Sequence, residues 1–155
     1  MNKLIEWLPN NIPNDDETSI VHGDYRLDNM IYSNFDVVGV LDWELSTLGH
    51  PIADFCYHCL TWRTLPNFHD QKKLRDLGIP NEMEYREMYS EHTGKDLSKD
   101  WEFYMVYSLF KVAAICQGIL GRVRDGTAAS KHAEERGMNV FPLSKGAWSI
   151  VESNF

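Results

Sequence analysis

The hydrophobic pattern of this chain opens on a short helical face, passes through brief apolar runs of strand length, and ends in long stretches of helical spacing. Leu4, Ile5, Trp7 and Leu8 make one face of a short helix that Pro9 stops. Residues 10–19 are polar and turn-rich and read as a loop. Ser19-Ile20-Val21, Met30-Ile31-Tyr32 and Val37 to Leu41 read as strands, the last two joined by a hairpin turn over Ser33-Asn34-Phe35-Asp36. Pro51 suits the first turn of a helix running to about Trp62. Thr64 to Pro80 reads as irregular. Asn81 followed by Glu84 has the form of a cap with its capping-box partner, and Gly94 is the expected end of that helix. Trp101 to about Arg124 is a long core helix, broken at Asp125-Gly126-Thr127. A last helix follows, with Pro142 expected to kink it. No repeat, low-complexity tract or linker divides the chain. The expectation is a single domain over 1–155, α+β but mainly α, with a small β-hairpin on a helical body.

Composition narrows the class of function. Hydrophobic residues make up 43% and charged residues 25%, an ordinary globular balance for 155 residues. The net charge of −8 argues against nucleic acid or an anionic membrane as the main partner. It leaves room for a nucleotide, because a magnesium site needs local carboxylates. Three Cys and no secretory pattern at the N-terminus lead us to expect a reducing, cytoplasmic setting. The 101–120 segment carries Glu102, Lys111 and Gln117, so a buried core helix is expected rather than a membrane span.

The chemistry concentrates in residues 22–29, His-Gly-Asp-Tyr-Arg-Leu-Asp-Asn, and in Asp42 at the end of the apolar run Val37-Val38-Gly39-Val40-Leu41. A His-Gly-Asp, four residues and an Asn should arise by chance in roughly two of a thousand such chains. The layout is that of the protein-kinase signature: a base, then an Asn and an Asp that hold magnesium. Asp24 is the candidate base. Its carboxylate would accept a hydrogen bond from an acceptor hydroxyl and align it with a γ-phosphorus. Asn29 and Asp42 are the candidate magnesium ligands, since that ion prefers oxygen donors and keeps several waters. The competing structural readings are a turn Asp, an Asx turn and a helix cap.

These residues resemble the aminoglycoside phosphotransferase and choline-kinase-like family of small-molecule kinases. His22 to Asn29 match its catalytic loop, Leu41-Asp42-Trp43-Glu44 its metal-binding segment, and Gly49-His50-Pro51-Ile52-Ala53-Asp54 the segment that usually follows. Within the family the chain is similar to the kinase-like domain fused to acyl-CoA dehydrogenases, the type of family members 10 and 11. Phe110 to Ile115 and Gln117-Gly118 also look like that subgroup. The resemblance implies the C-terminal lobe of a protein-kinase-like fold, with ATP as co-substrate, Mg2+ as cofactor and a small-molecule hydroxyl as acceptor. That acceptor could be aminoglycoside-like or a hydroxyacyl thioester. No Gly-rich phosphate loop and no strand-borne Lys occur in the expected order. The resemblance therefore implies a C-lobe alone, the N-terminal nucleotide-binding lobe being absent or on a partner chain, and leaves a non-catalytic binding module as the alternative.

Supporting roles have weaker signals. His22 would orient the catalytic loop, and Asp54 would anchor its backbone from a helix. Glu44 could support Asp42 or the metal waters, or lie on the surface. Arg26 could contact phosphate or substrate, or pair with Asp28. His50, Asp54 and His58 lie four residues apart, so a metal-dependent hydrolase using them with His22 and Asp24 is a further reading. Cys56 and Cys59 have redox-motif spacing but fall inside an apolar helix, where two buried structural Cys are expected. Gly118 and Gly121 are expected to allow close helix packing.

Overall fold

The computed structural model describes residues 1–155, position 67 by its backbone alone. Helix α1 (Asn2–Trp7) runs into a single 3-10 turn over Leu8–Asn10 that accommodates Pro9. Strand β1 (Ser19–Val21) follows the polar loop. The hairpin consists of β2 (Met30–Ser33) and β3 (Asp36–Val40), antiparallel, with Met30 opposite Val40 and Ser33 opposite Asp36. Its tip is the two-residue turn Asn34-Phe35, both at positive φ (49° and 72°), the backbone that matches strand twist. After β3 come a 3-10 turn (Trp43–Leu45) and a short strand β4 (Thr47–Gly49), which sequence reading passed over. β4 pairs antiparallel with β1, Ser19 opposite Gly49. Three residues with one β-branched side chain carry little periodic signal; β4 exists because β1 offers it a ladder.

The remaining elements are helices: α2 (Pro51–Thr64), α3 (Gln71–Asp76), α4 (Glu82–Thr93), α5 (Trp101–Arg124), α6 (Ala133–Met138) and α7 (Val140–Asn154). The Asn81/Glu84 capping box opens α4, and Gly94 at φ 71° closes it. Two expectations are corrected. The stretch between Thr64 and Pro80 contains α3, which Asp70 caps by accepting the Lys73 N–H at 3.0 Å. Pro142 is the third residue of α7, in the first turn, where a helix requires no N–H partner, so it starts the helix rather than kinking it.

Contacts divide the chain into two compact units, residues 1–14 with 102–155, and residues 15–101. In the first, Leu4, Ala113, Cys116, Val140, Ala147 and Val151 are buried, and Trp7 packs edge-on against Phe155 at 4.9 Å. Close helix approach occurs at Gly137, where an added Cβ would lie 2.6 Å from the Leu120 side chain. Gly118 and Gly121, expected to serve that purpose, have space around them. In the second unit an aromatic layer binds α2 to α4: Phe55 stacks on Tyr89 at 3.8 Å and Trp62 on Tyr85 at 5.0 Å. Arg63 donates to both Glu82 oxygens, at 2.8 and 2.7 Å, and Trp101 Nε1 adds a third donor at 3.1 Å. Cys56 and Cys59 are buried free thiols in this layer, and burial pushes the Cys59 thiol up, away from thiolate chemistry.

Candidate active site

Helix α2 begins where β4 ends. His50 is its N-cap, Nδ1 accepting the Ile52 N–H at 3.3 Å, and Pro51 takes the first position. This start puts Asp54 in the first turn, facing the segment that leaves β1. Asp54 Oδ2 accepts the His22 N–H at 2.7 Å and Oδ1 accepts the Gly23 N–H at 2.9 Å. One carboxylate thus satisfies two consecutive amides that a sharp turn would otherwise leave without acceptors. Gly23 makes that turn at φ 81°, and a Cβ there would lie 2.5 Å from the Leu45 carbonyl oxygen. Only Gly fits both conditions.

His22 is buried and its ring has a defined tautomer. Nδ1 accepts the Asp24 N–H at 3.2 Å, so Nε2 carries the proton and donates to the Leu41 carbonyl at 2.7 Å. Leu41 in turn donates its N–H to the Asn29 carbonyl at 2.8 Å. Leu41 is therefore tied at both ends of its backbone, to the catalytic-type loop and to the start of the hairpin. Asp42 is the next residue. The indole of Trp43 packs on the His22 ring at 4.7 Å and donates to the Val40 carbonyl at 2.9 Å.

Asp24 and Asn29 are in direct contact. The Asn29 amide nitrogen donates to the Asp24 carbonyl at 2.9 Å and to Asp24 Oδ2 at 3.0 Å. Both partners are acceptors, which orients the amide and leaves its oxygen for another donor or a hard cation. The other Asp24 oxygen, Oδ1, accepts the Tyr57 hydroxyl at 2.7 Å. No sequence motif marks Tyr57. It lies 33 positions from Asp24, and the one available signal was its place on α2 three residues after Asp54. Burial, then the hydrogen bond to Asp24, pushes the Tyr57 phenol far above its ordinary range, so it remains a donor.

Asp42 is exposed and adopts a left-handed backbone (φ 65°, ψ 53°). It precedes the Trp43–Leu45 turn but makes no side-chain cap bond to it, so the capping role does not account for its carboxylate. Asn29 and Asp42 flank the paired ends of β2 and β3, which places an amide oxygen and a carboxylate at one end of the hairpin. Arg26 lies on the surface and pairs with Asp28 through Nε at 2.9 Å and through its Nη2. Of the two readings of Arg26, this structure carries the second. Glu44 is exposed in the turn after Asp42.

The groups required for a His50/Asp54/His58 metal set are engaged separately. Asp54 holds the loop amides, His50 caps α2, and His58 Nε2 meets the Tyr85 hydroxyl at 3.3 Å. His50 is instead near Asp15 and Glu17, where Asp15 lies 3.5 Å from its ring and Glu17 pairs with Lys95.

A carboxylate held between two donors, with an amide and a second carboxylate at one end of a hairpin, is an arrangement that a kinase-like phosphotransferase would use. Comparison with known proteins reaches the same class: the chain belongs to the phosphotransferase enzyme family (APH), whose profile matches residues 1–106. It is 43% identical over 158 residues to mouse acyl-CoA dehydrogenase family member 10, covering 97% of this chain and 15% of that protein. It is 35% identical over 162 residues to human acyl-CoA dehydrogenase family member 11, covering all of this chain and 21% of that protein. A crystal structure from Ralstonia eutropha JMP134, provisionally described as an aminoglycoside phosphotransferase, superposes with a TM-score of 0.89 at 45% identity. The match covers 98% of this chain and 48% of that one. The chain thus spans about half of that structure and about a fifth or less of the two curated relatives.

Proposed function

We propose that this chain supplies the base and the metal ligands of an ATP-dependent phosphotransferase acting on the hydroxyl of a small molecule. The observation that carries this reading is the contact of Asn29 with Asp24 at the hairpin end that Asp42 also flanks. The Asn29 amide oxygen and the Asp42 carboxylate would hold magnesium, whose charge would offset that of the nucleotide phosphates. The chain's own residues do the rest. Asp24 accepts the acceptor hydroxyl's proton as its oxygen bonds to the γ-phosphorus and the bond to the β-phosphate bridge breaks. His22 and Asp54 hold the loop so that Asp24 need not reorganise. The similarity to acyl-CoA dehydrogenase family members supports a hydroxyacyl thioester as acceptor; the Ralstonia neighbour supports an aminoglycoside-like one. A binding module without catalysis is the second reading.

Asp24→Asn in the complete enzyme is expected to abolish transfer while nucleotide affinity, measured by calorimetry, stays nearly intact. Asp42→Ala should weaken magnesium-nucleotide binding itself. Full activity of Asp24→Asn would sink the base assignment, and absence of magnesium-nucleotide binding by the wild type would leave the binding-module reading.

A further inference from the structure

Helix α2 touches four consecutive positions of the loop. Asp54 accepts the N–H groups of His22 and Gly23, at 2.7 and 2.9 Å, and Tyr57 donates to the Asp24 carboxylate at 2.7 Å. His58 is hydrogen-bonded to the Tyr25 backbone, and its ring packs 5.4 Å from the Tyr25 ring. Asp54, Tyr57 and His58 share one face of α2 by their spacing of three and four residues. Four of these five contacts act on the backbone or on a packed ring. Tyr57 alone reaches the carboxylate that faces the acceptor.

We infer that Tyr57 is a positioning residue for phosphoryl transfer, acting through Asp24. An aspartate carboxylate can turn about its Cβ–Cγ bond, and a turning carboxylate presents its lone pairs in no fixed direction. Here Asn29 holds Oδ2 and Tyr57 holds Oδ1, so the carboxylate plane is pinned at both oxygens. Each oxygen has two acceptor sites, so one remains on each for the acceptor hydroxyl. Asn29 is committed to the Asp24 backbone and the proposed metal as well, and cannot set the plane alone. The phenol suits the task because its ring is partly buried on α2 and its proton stays in place.

This inference rests on the phosphotransferase reading, and the test separates the two. Tyr57→Phe keeps the ring and removes the donor. Measured in the complete enzyme beside Asp24→Asn, it is expected to lower kcat about tenfold, the weight of one charge-assisted hydrogen bond, with KM for nucleotide and acceptor unchanged. Unchanged kcat in Tyr57→Phe, with Asp24→Asn inactive, overturns the Tyr57 assignment and leaves the base standing. Full activity of Asp24→Asn overturns both. Should Tyr57→Phe melt at lower temperature, kcat and KM are compared well below its Tm; a rise in KM matching the fall in kcat marks a structural role and overturns the proposal.

Discussion

Gly23 is the residue on which the loop geometry depends most directly. Its φ of 81° and the 2.5 Å that a Cβ would leave to the Leu45 carbonyl are independent obstacles to any side chain. The obstructing atom is backbone, in the turn after Asp42, so it cannot step aside without moving the candidate metal ligand. Gly23→Ala is expected to cost about 2–4 kcal/mol, read as a lowered denaturation midpoint with an unchanged slope. The His-Gly-Asp motif announced the importance of this position in the sequence. What it did not announce was the reason, a carbonyl 22 residues away. Tyr57 is the opposite case: no motif marked it, yet it touches the candidate base directly.

Among the elements, α2 organises the site. Its start is legible in the sequence, because Pro51 suits the first turn; the His50 cap came only with the structure. Its position against the loop is not, because the partners are backbone amides whose direction depends on the β1–β4 ladder. Asp54 is where the two meet. Asp54→Ala would leave the His22 and Gly23 amides without their acceptor in a part-buried place. We expect a loss of about 2–4 kcal/mol, with amide hydrogen exchange at residues 22 and 23 faster than in the wild type. Exchange at those two amides no faster than before would show that Asp54 does not carry them. Helix α3 was hidden for a related reason: its six residues between prolines and glycine are too few for a periodic pattern, and its cap at Asp70 is a single short-range contact.

The whole molecule's response to acid includes one buried and one half-buried group in the second unit. Burial holds the His58 imidazole below its ordinary value near 6.5, outweighing the Tyr25 backbone bond and the nearby Asp54 charge. Above that value neither state is protonated at His58 and its contribution is complete. Below it the unfolded chain takes up a proton that the folded protein resists, so stability falls as pH drops. Glu82 adds a second step. Burial opposes its charge, but the Arg63 hydrogen bonds and charge, with Trp101 and Arg86, outweigh burial and hold it below its ordinary value near 4.5. The stability it contributes is complete above 4.5 and is lost as pH falls through the lowered value. Denaturation midpoints measured across pH should therefore decline in two stages. His58→Gln should flatten the first and leave the second; a midpoint independent of pH between 7 and 5, as orders of titration go about two units, would contradict the His58 assignment.

The sequence by itself determined the class of protein and its polar constellation. His22 to Asn29, Asp42 and Asp54 were readable because local spacing, strand length and helix-start chemistry are properties of neighbours along the chain. The capping box at Asn81, the stop at Gly94 and the long 101–124 helix were readable on the same ground. Tertiary structure alone decided how these parts engage: Leu41 tied between His22 and Asn29, the orientation of the Asn29 amide, the pairing of Arg26 with Asp28, and the Tyr57 hydroxyl on Asp24. The physical reason is that hydrogen-bond partners and steric limits depend on distance in space, and a chain that brings residues 24 and 57 within 2.7 Å carries no periodic trace of having done so.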